Sequence, residues 1–352
     1  MNFASDNTAG ISERILKAIN EASTGFAGSY GGDDATRALE ARFAEVFETD
    51  LTVFPLATGT AANALSIATI TPPWRAVLCS ENAHIMTDEC GAAEMFTGGA
   101  KLIGLAGRNA KYSARTLAER LETWPPGAPH HTQPASLSLS QASEFGSVWQ
   151  PDELAEIGEV ARAHGLKVHM DGARFANAVA SLQCAPADIT WRAGVDILSF
   201  GATKNGALAA EAIVVFDKEL AASLPFRRMK TGHLLSKGRF LAVQLLAYLE
   251  DGHWLKLAGH SNAMATRLAE AIEASPKARL AAPVEANEVF AYLDHTVHEA
   301  LQTAGADYHE WPMSVPDKED PPREGEVLAR FVASFQTSGQ EVGRFAQVIG
   351  GL

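Results

Sequence analysis

Apolar positions alternate between two spacings along the chain from about residue 35 onward. Helical stripes predict helices over 34–46 and 61–70, and short apolar runs predict strands over 51–56 and 136–139. Such alternation is typical of parallel strands in one sheet with helices packed on its faces. The pattern therefore predicts an α/β fold with a large mixed, mostly parallel sheet.

The clearest strand–helix–strand unit lies in the middle of the chain. A predicted helix over 151–164 connects the strand over 136–139 to a strand over 166–171. The helix begins with Pro151, which a first helical turn tolerates, and ends before Gly165. This unit anchors the prediction of parallel strands.

The pattern changes after Gly252, where a long amphipathic helix over 254–274 begins a smaller α+β unit. The other predicted elements are strands over 195–200, 212–216, 289–293 and 329–335 and helices over 295–304 and 339–349. We predict an N-terminal segment over 1–13, a large domain over 14–250 and a small C-terminal domain over 251–352.

Composition excludes several classes of function. Of the 352 residues 47% are hydrophobic, and 29 basic against 42 acidic residues give a net charge of −13, which repels nucleic acids. No run of 18 apolar residues and no export signal is visible, so no membrane partner is expected. Three cysteines without a CxxC pair predict neither a disulfide framework nor a metal site. A cytoplasmic protein fits best.

Gly59 and Thr60 form a small-residue turn between an apolar strand and a helix. Free backbone N–H groups and the positive end of the helix dipole bind phosphate at such a turn. The alternative is an ordinary turn with a capping threonine. The turn alone therefore decides nothing.

Asp171 ends one predicted strand of the sheet, and Lys204 follows another. The carboxyl edge of such strands is where α/β sheets bind ligands. Asp171 could instead form a structural ion pair with Arg174. Lys204 lies among small or polar neighbours, and burial would make its amine a better nucleophile toward an aldehyde. The phosphate turn, the aspartate and the lysine together predict a pyridoxal phosphate site.

The same residues carry a resemblance to a known family. The segments concerned are Ser5-Asp6-Asn7, Ser29-Tyr30-Gly31-Gly32-Asp33, Ala57-Thr58-Gly59-Thr60-Ala61-Ala62-Asn63, Glu81-Asn82-Ala83-His84, His169-Met170-Asp171-Gly172-Ala173-Arg174 and Ser199-Phe200-Gly201-Ala202-Thr203-Lys204-Asn205-Gly206. Over nearly its whole length the chain resembles the low-specificity L-threonine aldolases of the β-eliminating lyase family, including the branch that takes phenylserine-like substrates. These enzymes have the aspartate-aminotransferase-like fold type I.

The resemblance implies how pyridoxal 5'-phosphate would be held. Lys204 would bind the cofactor as a Schiff base, and Asp171 would pair with the ring nitrogen. Gly59 and Thr60 would hold the phosphate, and His84 would stack on the ring. The remaining implied cofactor contacts are Thr203, Arg174, Arg228 and Lys230.

The resemblance also implies substrate contacts. Arg174 and Arg330 would bind the substrate carboxylate, helped by Ser5, because a guanidinium matches a carboxylate with two hydrogen bonds. Tyr30 would contribute from a neighbouring subunit, as would Arg228. Without the family, Arg330 is simply a charge at the start of a strand.

A histidine of the family is proposed to handle the proton of the substrate hydroxyl. His130 and His131 are the candidates here, and His131 is preferred. The chain departs from the family where Glu-Asn-Thr-His is replaced by the segment 140–144, Ser-Gln-Ala-Ser-Glu, and where a glycine-rich stretch is replaced by residues 228–235.

The implied activity is the cleavage of L-threonine, L-allo-threonine or related L-β-hydroxy-α-amino acids to glycine and an aldehyde. Lys204, His84, His131 and Asp171 are its predicted catalytic residues. The alternatives are a β-eliminating lyase, an aminotransferase or a non-catalytic protein of the same fold. A homodimer or homotetramer with shared active sites is expected, because a partner subunit could cover a cofactor that lies at a sheet edge.

Overall fold

The computed structural model describes residues 1–311 and 314–352. Its helices are α1 Glu13–Ala22, α2 Asp34–Phe47, α3 Gly59–Ile70, α4 His84–Thr87, α5 Ala92–Thr97, α6 Ala114–Glu122, α7 Pro151–Ala163, α8 Phe175–Leu182, α9 Leu224–Lys230, α10 Arg239–Leu249, α11 His253–Glu273, α12 His295–Thr303 and α13 Gly339–Gly350. Its strands are β1 Thr52–Leu56, β2 Arg75–Ser80, β3 Lys101–Leu105, β4 Gln133–Ser140, β5 Lys167–Gly172, β6 Ile197–Gly201, β7 Glu211–Val215, β8 Ala278–Leu280, β9 Glu288–Asp294, β10 His309–Glu310 and β11 Glu326–Val332.

Within these residues the larger sheet has seven strands in the order β1-β7-β6-β5-β4-β2-β3. Only β7 runs antiparallel to its neighbours, β1 and β6, so the carboxyl ends of the other strands meet at one edge. The predicted α/β fold with a mixed, mostly parallel sheet is confirmed. The segments that follow β1, β2, β4, β5 and β6 therefore converge.

The reversed strand β7 brings its first residue to the same edge. Glu211 is paired with Leu56 at the end of β1 and with Gly201 at the end of β6. Because β7 begins where its neighbours end, the carboxylate of Glu211 lies beside the segments that leave β1 and β6.

The smaller sheet is antiparallel, with the order β10-β11-β9-β8. Phe3 packs into its core, edge-on against Phe331 of β11 and Phe345 of α13. Farther along the N-terminal segment, Ser12 donates its backbone N–H to the carbonyl of Gly206, beside the larger sheet. The first dozen residues thus contact the smaller sheet and the segment that follows β6 of the larger one.

The elements predicted over 34–46, 151–164 and 254–274 all occur, with ends shifted by at most one residue. Sequence analysis missed α10, which is apolar on almost every side and shows no stripe, and the short strands β2 and β3. The burial of α10 and β2 is a tertiary effect that periodicity does not report, and β3 is only partly buried. The division into domains at residue 250 stays a prediction. Among the helices in the described residues, none is long and apolar enough to cross a membrane.

Candidate active site

A pocket of about 320 Å³ opens at the carboxyl edge of the larger sheet. Its walls come from the segments that follow five strands of the sheet, and they include Thr60, Asn63, His84, Glu144, Asp171 and Lys204. The size lies at the lower end of the range for small-molecule sites. Residues far apart in the sequence therefore share one concave site.

Lys204 lies in a 3₁₀ turn, Thr203–Asn205, immediately after β6. Asn205 anchors the turn from below, because its amide donates to the Tyr248 hydroxyl at 2.7 Å and to the Trp254 carbonyl at 2.9 Å. Gly201 is required just before the turn, since a Cβ there would lie 2.7 Å from the Ala173 carbonyl oxygen. These contacts fix the backbone that carries the lysine.

The surroundings of Lys204 favour its neutral amine. The positive charge of Arg174 lowers the pKa of Lys204, and burial lowers it further. The carboxylates of Asp6, Asp171 and Glu288 only partly offset this effect. A neutral amine is the form that attacks an aldehyde carbon.

Asp171 is the penultimate residue of β5, and it is buried in the pocket wall. Its Oδ2 accepts a hydrogen bond from the Asn63 amide at 2.8 Å, and its Oδ1 accepts the backbone N–H of Ala173 at 2.9 Å. Both oxygens are thus oriented by donors. Asp171 does not pair with Arg174 in the way that the structural alternative required, because Arg174 is bound to Asp6 instead.

Gly59 and Thr60 form the first turn of α3 and line the pocket. Thr58 caps the helix, since its hydroxyl accepts the backbone N–H of Ala61 at 3.3 Å. The N–H groups at such a helix start have no partner within the helix and form the positive end of its dipole. This end of α3 is suited to an anionic group.

His84 begins α4 at the mouth of the pocket, with 43% of its side chain exposed. Its Nδ1 lies 2.9 Å from Oε1 of the buried Glu89, and this hydrogen bond raises the pKa of His84. His84, Glu89 and Asp171 offer three donor atoms within 4.8 Å of one another, as a metal site would. The same atoms belong to the pocket described above, so they do not define a separate site.

The predicted carboxylate-binding arginines are joined by a buried acid. Arg174 donates from Nε to Asp6 Oδ2 at 2.8 Å, and its Nη1 lies 3.0 Å from Glu288 Oε2. Arg330 donates to Oε1 of the same Glu288 at 2.8 and 3.0 Å. Two positive and two negative side chains thus form one network, in which Arg174 lines the pocket and Arg330 lies behind it.

Two smaller predicted contributors lie at or beside the pocket. Thr203 lines it, and its hydroxyl accepts the backbone N–H of Ala210 at 3.1 Å. The hydroxyl of Ser5 caps a short 3₁₀ turn by accepting the N–H of Asn7, which itself lines the pocket. In the sequence, Ser5 is thus adjacent to Asp6 and two positions from Asn7 of the pocket wall.

The structure does not bring His130 and His131 to the pocket. Both are exposed and precede β4, whereas the pocket lies at the opposite end of this strand, where Ser140 is. At ~3.3 Å per residue the strand separates them by on the order of 20 Å. Within one chain the predicted role of His131 in moving the hydroxyl proton is therefore not supported.

Three further predicted residues lie outside the pocket of a single chain. Tyr30 is 55% exposed and has a left-handed backbone with a φ of 55°. Arg228 on α9 donates to the carbonyl of Pro55 at 2.7 Å, and burial lowers its pKa to about 10. Lys230 ends the same helix and is exposed. Their roles toward the cofactor stay predictions.

Sequence analysis missed several acidic and amide side chains that line or support the pocket. These are Asn63, Glu89, Glu144, Glu211 and Glu288. The strand-end rule could have found Glu144, four residues after β4. For Glu211 the signal in the sequence was a charged residue at the start of an apolar strand. In the structure, burial raises the pKa of its carboxyl to about 7.

The donor set fits pyridoxal phosphate. A half-buried lysine, a buried aspartate and an open helix N-terminus surround one cavity, and they match the aldehyde, ring nitrogen and phosphate of that cofactor. Buried polar atoms of the pocket without a partner among the described residues include Asn63 Oδ1 and Glu89 Oε2. Such atoms favour a polar occupant.

Comparison with known proteins agrees with this chemistry. The family model described as beta-eliminating lyase matches residues 2–296. The chain belongs to the beta-eliminating lyase family. This finding confirms the resemblance drawn from the motifs.

Relatives within the beta-eliminating lyase family share nearly the whole chain. A low specificity L-threonine aldolase from Pseudomonas aeruginosa is 41% identical over 351 residues, which is 99% of this chain and 96% of the relative. One from another Pseudomonas species is 39% identical over 98% of this chain and 95% of its own. A solved structure of threonine aldolase from Leishmania major has a TM-score of 0.91 at 27% identity and covers 99% of this chain and 98% of its own. The predicted fold class is confirmed.

The predicted cofactor is confirmed at the level of the family, which uses pyridoxal phosphate. A ligand site for pyridoxal phosphate combines a lysine that forms the Schiff base with an aspartate or arginine partner of the ring nitrogen. Lys204 and Asp171 are the residues that the fold brings there.

Proposed function

We propose that the protein cleaves L-threonine, L-allo-threonine and related L-β-hydroxy-α-amino acids to glycine and an aldehyde, using pyridoxal phosphate. The observation that carries the proposal is one pocket in which Lys204, Asp171 and the start of α3 converge. The 41% identity to a low specificity L-threonine aldolase over nearly the whole chain supports the choice among reactions of this fold.

Each part of the cofactor has a partner in the pocket. Lys204 would supply the amine that binds the aldehyde carbon, and Asp171 would hold the protonated ring nitrogen. The first turn of α3, at Gly59 and Thr60, would hold the phosphate. His84 lies at the mouth of the pocket, where its ring can cover the cofactor face. Bound there, the cofactor supplies an electron sink for the bond that breaks at Cα.

Arg174 is the residue placed to orient the substrate. Its guanidinium lines the pocket and is held on its far side by Asp6 and Glu288. A substrate carboxylate bound to Arg174 would hold the amino acid in one orientation. This orientation would decide which bond at Cα is presented to the electron sink, so it would contribute to rate as well as to affinity.

A product assay separates the aldolase from its rivals. Purified protein is incubated with pyridoxal phosphate and L-threonine, L-allo-threonine or L-phenylserine. Cleavage predicts glycine together with acetaldehyde or benzaldehyde. Ammonia with an oxo acid would indicate a β-eliminating lyase instead, and amino transfer to an added oxo acid would indicate an aminotransferase. Absence of cofactor absorbance and of every product would indicate a non-catalytic protein.

We infer that the active form is a homodimer or homotetramer with shared sites. Phe226 and Met229 of α9 are 77% and 62% exposed. Met95 of α5, which lines a second cavity together with residues of α9, is 77% exposed. Arg228 lies on the same helix, so a second copy seated on α9 would lie close to it. Light scattering at micromolar concentration tests the oligomer. An active monomer would remove the assigned roles of Tyr30, Arg228 and Lys230.

A cytoplasmic location is part of the proposal. Its support is that Cys79, Cys90 and Cys184 are all free thiols in the structure. Reduced cysteines are typical of a reducing compartment. Cell fractionation with an antibody against the protein tests it.

A further inference from the structure

Glu144 places a carboxylate in the pocket wall beside His84, in the loop that follows β4. Its Oε1 accepts hydrogen bonds from the Ser140 hydroxyl and, at 3.0 Å, from the backbone N–H of His84. Its Oε2 is buried and has no hydrogen-bond partner among residues 1–311 and 314–352. A buried acceptor without a partner costs free energy, so it points to a ligand that supplies the missing donor.

The groups around Glu144 set its affinity for a proton. Burial raises the pKa of Glu144 to about 7, and the negative charge of Asp171 on β5 acts in the same direction. Ser140 and the His84 N–H act against the rise. Cys79 on β2 and the buried Tyr112 also face this carboxyl, and both have raised pKa values, so they stay neutral. Glu144 can therefore exchange a proton near neutral pH.

The other titratable groups of the pocket are less suited to accept a substrate proton. His84 is held by Glu89, which raises the pKa of His84 and favours a ring that already carries both protons. Asp171 has donors on both carboxylate oxygens. Glu211 lies on the lysine side, where its Oε1 is 3.4 Å from the Thr203 N–H. Glu144 Oε2 is thus one of two carboxylate oxygens on the His84 side without a partner among the described residues; the other, Glu89 Oε2, belongs to the carboxylate that holds the His84 ring.

We propose that Glu144 is the catalytic base that accepts the proton of the substrate β-hydroxyl, in the role that sequence analysis gave to His131. This inference rests on the proposed aldolase function. The O–H bond breaks and its proton moves to Glu144 Oε2, while its electron pair becomes the second carbon–oxygen bond of the aldehyde. The Cα–Cβ bond breaks at the same time, and its electron pair remains with Cα, where a proton later replaces the lost carbon.

The test compares two reactions in the wild type and in Glu144→Gln. The glutamine keeps the shape and the Oε1 acceptor, so the fold is retained. Cleavage of L-threonine needs the hydroxyl proton to leave, and we expect its kcat/KM to fall roughly 10²- to 10⁴-fold. Exchange of the glycine Cα proton in deuterium oxide involves no hydroxyl, and we expect its rate to stay within about tenfold.

Two further readouts tie the effect to the carboxyl group. In the wild type, kcat/KM for L-threonine should rise with pH through about 7, and Glu144→Gln should lack this limb. In the cofactor-free protein, the infrared difference spectrum between wild type and Glu144→Gln should contain one carboxyl band that titrates near the same pH.

Glu144→Asp should restore part of the cleavage rate. Glu119→Gln, which removes an exposed carboxylate of α6 and changes the net charge equally, is the matched control.

Each contrary outcome has its own meaning. If Glu144→Gln cleaves L-threonine within tenfold of the wild type, Glu144 is not the base. An equal loss of cleavage and glycine exchange would mean that the substitution disturbs the pocket as a whole. That outcome would also overturn the proposal. If the wild type exchanges the glycine proton but does not cleave L-threonine, the aldolase function fails first, and the inference fails with it.

Discussion

Arg174 and Asp6 form a two-point ion pair across 168 positions of sequence. Nε donates to Oδ2 at 2.8 Å and Nη2 to Oδ1 at 3.1 Å, and Asp6 is almost fully buried. Burial by itself would raise the pKa of Asp6, but Arg174 and Lys204 hold it below its ordinary value. The N-terminal segment is therefore part of the pocket wall, and it fixes the arginine that is placed to bind the substrate.

Replacement of Asp6 by asparagine should destabilise the protein. The variant leaves the buried Arg174 with Glu288 as its remaining acidic partner, and removing one member of a buried pair typically costs about 3–5 kcal/mol. Urea unfolding of the cofactor-free protein measures the change. Asp34→Asn breaks an ion pair with Arg37 in which the aspartate side chain is 99% exposed, and it should cost less than about 1 kcal/mol. Equal losses in the two variants would argue against a buried pair.

Lys204→Ala should abolish covalent binding of pyridoxal phosphate. Lys204 is the one lysine that lines the pocket within the described part of the chain. The measurement is the absorbance near the visible edge after pyridoxal phosphate is added to the purified variant. Lys218→Ala, which removes an exposed lysine paired with Asp50, should bind the cofactor normally. Retained absorbance together with retained turnover in Lys204→Ala would take the lysine out of its assigned role.

Asp171→Asn should leave the fold intact and slow turnover. The amide can still accept the Ala173 N–H, but its neutral side chain cannot stabilise a protonated ring nitrogen, so the electron sink weakens. We expect kcat with L-threonine to fall more than tenfold, which is about 1.4 kcal/mol in the barrier. Asp50→Asn at the surface is the control. A smaller loss would assign the ring nitrogen to another partner.

Glu211→Gln should change how stability depends on pH. Burial raises the pKa of Glu211 from 4.5 to about 7, so between these values the folded protein holds a proton that the unfolded chain releases. The free energy of unfolding of the wild type should therefore fall as the pH rises through this window, by up to about 3 kcal/mol from this group. The variant should lack that part of the slope.

Urea unfolding of the cofactor-free wild type and variant at several pH values across the window measures the difference. Glu119→Gln, whose carboxylate is exposed on α6, should follow the wild-type slope. Parallel slopes for wild type and Glu211→Gln would show that Glu211 carries no unusual proton in the folded protein.

The order of chemical groups along the chain could be read from the sequence. Lys204 and Asp171 each follow an apolar run, and Gly59 lies between a strand and a helix, so the rule that parallel strands end at one edge places them together. A strand end and a strand-to-helix turn are local features, so the local spacing of apolar residues is enough to locate them. The α/β fold and the cofactor followed from the same observations, and the family comparison confirmed both.

Only the tertiary structure decided which proton-transferring group reaches the pocket. His131 precedes β4 and Glu144 follows it, so they lie toward opposite ends of one strand. The preference for the histidine came from the family resemblance, which says nothing of where His131 lies relative to the strand in this chain. The strand-end rule, applied strictly, would have favoured Glu144.

The ion-pair network was beyond sequence reasoning for a different reason. Asp6, Arg174, Glu288 and Arg330 come from the N-terminal segment, from the loop after β5 and from strands β9 and β11 of the smaller sheet. Nothing in the spacing of these residues indicates that they meet, because hydrogen bonds between distant segments leave no periodic pattern. Their pairing depends on how the smaller sheet and residues 1–12 close over the edge of the larger sheet, and packing of side chains such as Phe3 determines that arrangement.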